Sequence, residues 1–72
     1  MSEDRNEVEL ARAAGAVNVL AVESSRDIFV WFTDPETHQV LGMFAREINS
    51  VEDVKAHMDE SRKKIAAIER GK

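Results

Sequence analysis

The chain has 72 residues, of which 43% are apolar and 33% charged, and its net charge is −4. This length forms one small domain that hides about 60% of its unfolded surface, which leaves no room for a separate catalytic domain. The composition argues against intrinsic disorder, and no window approaches the 18 apolar residues of a membrane span. The acidic start and the absence of cysteine predict a soluble cytoplasmic protein.

The N-terminal segment, residues 3–14, predicts a short helix that ends before Gly15, a residue typical just past a helix end. Residues 16–23 include three valines and predict a strand. A single helix from Asn6 to Val22 is the alternative, since it aligns Leu10 with Ala21 on one face, although Gly15 inside it would cost about 1 kcal/mol.

A β-hairpin is predicted next. Residues 27–33 are rich in β-branched and aromatic side chains, which is the strongest strand signal in the chain. Asp34 and Pro35 fit the first two positions of a type I turn. Residues 39–46 resume as a strand, and a loop of this length forces antiparallel pairing.

A long C-terminal helix is predicted over residues 51–70. Ser50, with Asp53 three positions later, nearly matches a capping box, and Gly71 marks the end. One apolar stripe follows helical spacing and predicts the face that packs on the sheet; its members are Val54, Met58, Ile65 and Ile68. The predicted fold is α+β, with a short N-terminal helix, a three-stranded antiparallel sheet and the C-terminal helix packed on one sheet face.

Both faces of the hairpin are apolar, because side chains alternate across a strand and neither alternate set is polar. The C-terminal helix covers one face. The other needs the N-terminal helix, a second copy of the chain or a partner protein as its cover. The predicted interface anchors are Phe29, Trp31, Leu41 and Met43.

Residues for catalysis or metal binding lack the required spacing. His38 and His57 have no second ligand at metal spacing, so neither a metal site nor a cofactor is expected. The glycines are too far apart for a phosphate loop, and no serine has a recognisable base beside it. The sequence predicts a protein that is not an enzyme.

Nucleic-acid binding is the runner-up function. Its candidate residues lie in the second half of the last helix, where cations also complement the helix dipole; they are Arg62, Lys63, Lys64 and Arg70. The net negative charge disfavours phosphate backbones. Trp31 and Phe29 would need basic neighbours to act as a platform for bases, and the hairpin has few.

The hairpin Ile28–Leu41 resembles that of the FlaG family of small flagellar proteins, in which an Asp-x-x-Thr turn joins two strands before a helix. Asp34, Thr37 and Val40-Leu41 match, whereas His38-Gln39 replaces the family's glycine and acid and its Ile-Pro before the helix is absent. The resemblance implies a bacterial accessory protein of flagellar filament assembly without enzymatic activity. The residues themselves favour a small regulator, inhibitor or accessory factor that binds a protein partner, with a homodimer as one form of that binding.

Overall fold

The computed structural model describes residues 5–71. Its three strands form one antiparallel sheet in which they lie side by side in chain order, and together with the two α-helices they confirm the predicted α+β fold. The expected helix start at residue 3 lies outside the described residues. The elements in chain order are α1 (Asn6–Ala13), β1 (Val17–Glu23), β2 (Ile28–Thr33), β3 (Val40–Phe44), a 3₁₀ helix (Ala45–Glu47) and α2 (Val51–Arg70).

The first helix ends before β1 rather than continuing through it. Gly15 has a φ of +101°, a left-handed backbone that favours glycine and turns the chain out of α1. In β1, Leu20 then lies opposite Trp31 and Val22 opposite Phe29, so these side chains gain cross-strand contacts that a helix would not provide. The alternative of one helix from residue 6 to residue 22 is therefore wrong.

The predicted hairpin forms between β2 and β3, with Phe29 opposite Phe44 and Thr33 opposite Val40. The second strand of the hairpin is shorter than expected, because it ends at Phe44 instead of residue 46. The amide of Phe44 donates to the carboxylate of Glu47 (3.1 Å), which closes the 3₁₀ turn that follows.

Both helices pack on the same face of the sheet. Val8 of α1 and Met58 of α2 belong to one buried cluster together with Val30 and Phe32 of β2. The alternative in which α1 covers the second face is therefore wrong. The apolar residues of α1 pack beside α2, against the sheet face that α2 also covers.

The last helix extends beyond the sheet. Its 20 residues span about 30 Å, whereas strands of five to seven residues span about 16–23 Å. Val54 and Met58 are buried, but Ile65 is only half-buried and Ile68 is 66% exposed. The predicted packing stripe thus holds for its first half, and its second half has no sheet beneath it.

Candidate functional site

The second face of the sheet lies open to solvent, and no segment within residues 5–71 packs over it. Trp31 is 43% exposed at the centre of the face, and the flanking Leu20 and Val40 are 57% and 63% exposed. We call this surface the open face. The strand register defines its members as Val17, Leu20, Val22, Phe29, Trp31, Thr33, Val40, Gly42 and Phe44.

On the open face, the Phe29 ring contacts two other aromatic rings, those of Trp31 and Phe44. The Phe29 ring centroid lies 4.7 Å from that of Trp31 and 5.0 Å from that of Phe44, and both pairs are edge-to-face. Such pairs contribute about 0.5–1.5 kcal/mol beyond the area they bury. The rings therefore hold one another in place before any partner binds.

Gly42 makes room for this aromatic cluster. A Cβ at position 42 would lie 2.5 Å from Cζ of Phe29 and closer still to Cε2, so the Phe29 ring occupies the space of a side chain at that position. The ring covers the glycine backbone and lies low on the sheet.

One cation lies at the rim of the open face. The guanidinium carbon of Arg46 is 4.3 Å from the centroid of the Phe44 ring, a cation–π contact. Arg46 also donates to the carboxylate of Asp27, so its charge is balanced. The side chains that the strands place on the face itself are all uncharged.

The structure brings together only two of the four predicted anchors. Phe29 and Trp31 lie on the open face, whereas Met43 is buried in the core and Leu41 packs against it. The grouping of the four on one surface is wrong, because Trp31 pairs with Gly42 and the neighbours of Gly42 point to the other side. Strand alternation separates these residues, but only the pairing register shows which residues of β3 accompany Trp31.

An ion pair with a buried carboxylate and a partly exposed guanidinium connects the hairpin turn to α2. The Asp34 carboxylate is fully buried and accepts hydrogen bonds from Nε (2.7 Å) and Nη2 (2.9 Å) of Arg62. It also accepts one from the amide of Glu36 (2.9 Å), whose carboxylate lies 3.2 Å from Nη1 of Arg62. We call the Asp34–Arg62 pair the turn clamp. In the sequence, Asp34 was explained by its position in a type I turn, and Arg62 by the preference for cations near a helix C-terminus. Neither pattern indicated that the two residues form a pair.

The turn clamp shifts the pKa values of both partners. Hydrogen bonds from Arg62 lower the pKa of Asp34 from 3.8 to about 2, and the amides of Glu36 and Thr37 act in the same direction against the opposing effect of burial. The same hydrogen bond raises the pKa of Arg62. Both groups are therefore charged at neutral pH, and the clamp has the character of a structural ion pair.

The predicted basic site is divided by this clamp. Arg62 is engaged with Asp34, while Lys63, Lys64 and Arg70 are exposed. All four belong to α2, which packs on the face opposite the aromatic cluster. The cations and the rings thus lie on opposite sides of the sheet, an arrangement that does not favour binding a nucleic acid by stacking and charge together.

Within residues 5–71 the chain has neither a cluster of metal ligands nor a membrane-spanning helix. Residues 5–71 contain no group of three or more His, Cys, Asp or Glu side chains placed to hold a metal ion. Neither helix of this range has the length and apolar composition needed to cross a bilayer.

No protein-family model, curated protein or solved structure matches the chain.

Proposed function

We propose that this protein is a non-enzymatic protein–protein interaction module that binds another protein through the open face. The observation that carries the proposal is an uncharged apolar sheet face with Trp31, Leu20 and Val40 exposed on it. Large exposed apolar patches on soluble proteins commonly mark interaction sites. The module would act by occupancy, as a regulator, inhibitor or accessory factor in the cytoplasm.

The side chains of the open face suit this role. Tryptophan and arginine are enriched among the residues that dominate binding energy, and here Trp31 lies near the middle and Arg46 at the rim. The contacts of Phe29 restrict the aromatic cluster before binding, which reduces the entropy lost when a partner docks. A preorganised apolar centre with a polar rim is typical of protein interfaces.

Nucleic-acid binding is less well supported, because its candidate cations lie on the other side of the sheet and Arg62 is held by Asp34. The resemblance of the hairpin to the FlaG family stays a prediction. A flagellar accessory protein would be one setting in which a module that acts by occupancy could work.

Site-specific photocrosslinking in the native host tests the proposal. A photoreactive amino acid replaces Leu20 on the open face in one variant and Lys64 on α2 in the control, and both positions are exposed. We expect covalent protein adducts from position 20, their loss when Trp31→Glu is added, and no such adducts from position 64. Crosslinking to protein from position 64 alone, or to nucleic acid from position 20, would contradict the proposal.

A further inference from the structure

We propose that the partner at the open face is a second copy of this chain, packed face to face about a two-fold axis. This inference rests on the proposed function and names the occupant of the same surface. The product would be a six-stranded sandwich of two sheets about 10 Å apart, with the helices of each copy on the outside.

The area of the open face is sufficient for such a dimer. Its exposed side chains, with Leu20 and Val40 more than half exposed, present on the order of 500 Å² per chain, which is near the upper end for a typical monomer. Two copies would bury about 1,000 Å² in total, the lower limit of a specific interface. An interface of this size is typical of a weak, reversible association, so we expect a dimer that dissociates on dilution.

The charge distribution favours a second copy over a charged partner. The chain carries a net charge of −4, yet the strand side chains on the open face are uncharged. A two-fold axis through this face brings no like charges together at its centre, and the rim charge of Arg46 is already balanced by Asp27. An acidic or basic partner would find no complementary charge there, whereas a second copy presents the same neutral apolar surface.

The side chains of the face are also compatible with sheet-on-sheet packing. The Phe29 ring fills the space that a side chain at position 42 would occupy. Trp31 and Leu20 form a cross-strand pair beside it that stands exposed. With the two-fold axis passing through this pair, these two side chains would be covered by the equivalent pair of the other copy, because residues at the axis of a two-fold interface meet their own counterparts.

Sedimentation velocity on the purified full chain tests the dimer over a series from about 1 µM to about 1 mM. We expect a monomer–dimer transition, with the Trp31 emission shifting to shorter wavelength as the dimer forms. Added salt should preserve or strengthen the dimer, because it screens the repulsion between two chains of charge −4. A dimer that salt dissociates would contradict apolar packing.

Variants identify the face that is used. Trp31→Glu and, as a milder change at an exposed position, Leu20→Lys should each raise the dissociation constant at least about tenfold, with circular dichroism confirming the fold. The matched control is Ile68→Glu, which alters an apolar residue on α2 that is more exposed than Trp31 or Leu20 and should leave the dimer intact. A dimer that survives both open-face changes, or that Ile68→Glu alone disrupts, would overturn the inference.

The dimer and the proposed function can fail separately. A wild-type chain that remains monomeric at the highest concentration overturns the second copy as partner. If position 20 still crosslinks to a different protein in the host, the interaction module stands and only its partner changes. If position 20 captures no protein at all, the proposed function fails as well.

Discussion

Replacing Asp34 by asparagine tests how strongly the turn clamp holds the hairpin to α2. The carboxylate is fully buried and accepts two hydrogen bonds from Arg62, at 2.7 and 2.9 Å. Asparagine removes the negative charge and can turn an NH₂ donor toward the guanidinium donors. Hydrogen bonds to charged groups contribute about 1.5–3 kcal/mol, so we expect Asp34→Asn to lower the free energy of unfolding by about 2 kcal/mol.

Urea denaturation followed by circular dichroism measures this loss. A domain of this size has a total stability of about 5 kcal/mol, and 2 kcal/mol corresponds to a fall in melting temperature of roughly 10 °C. Glu36→Gln is the matched control, because Glu36 also faces Arg62 but is exposed, and such a pair contributes less than about 1 kcal/mol. Equal effects of the two substitutions, or an unchanged midpoint for Asp34→Asn, would refute the reasoning.

Acid titration provides a second measurement on the same group. The pKa of Asp34 is lowered to about 2 in the folded protein, chiefly by the hydrogen bond from Arg62. The folded state therefore binds this proton less readily than the unfolded state, whose pKa is near 3.8. The contribution of the clamp is complete above pH 4 and is lost as the pH falls toward 2. We expect the stability difference between wild type and Asp34→Asn to shrink over that window, and a constant difference would contradict the assignment.

Four further substitutions test the packing and the backbone. Gly42→Ala should lower stability by about 1–3 kcal/mol, because its Cβ would overlap the Phe29 ring, and an unchanged denaturation midpoint would contradict that contact. Met58→Asp should unfold the protein, because Met58 is buried, whereas Ile68→Asp on the same helical stripe should change stability by less than about 0.5 kcal/mol, because Ile68 is exposed. Circular dichroism measures both effects. Equal effects would contradict a last helix that extends beyond the sheet. His38 has a φ of +63°, a left-handed backbone that glycine adopts without strain. His38→Gly should therefore raise the free energy of unfolding by about 0.5 kcal/mol. A lower free energy of unfolding, measured by calorimetry, would argue against strain at this position.

Local patterns predicted the order and type of the two α-helices and three strands, but not the 3₁₀ helix at Ala45–Glu47. The valine-rich segment before Ser24 forms β1 and the aromatic segment after Asp27 forms β2, because extended chains accommodate β-branched and aromatic side chains. The last helix begins after Ser50 as expected, and the Asp53 carboxylate accepts hydrogen bonds from the amides of Asn49 and Ser50. These features depend on neighbours within a few residues.

Features that depend on distant partners could not be predicted in the same way. The two-residue alternation showed that both hairpin faces are apolar, but the pairing of Trp31 with Gly42 decides that Phe44 and not Met43 joins the open face. The location of α1 depends on which sheet face has space left beside α2. The turn clamp joins Asp34 to a residue 28 positions away, and nothing in either local pattern indicates the other.

The division of the sheet into a buried face and an open face also affects how the protein can evolve. Along β2, Val30 and Phe32 secure the fold, while the intervening Trp31 contributes mainly to the surface. Under the proposed function, substitutions at the outward positions would alter what the open face recognises at little cost to the core, so changes in specificity would not need compensating changes inside. Phe29 and Gly42 are the exception, because their mutual contact makes each constrain the other. Drift in partner choice would therefore proceed around this pair and leave it in place.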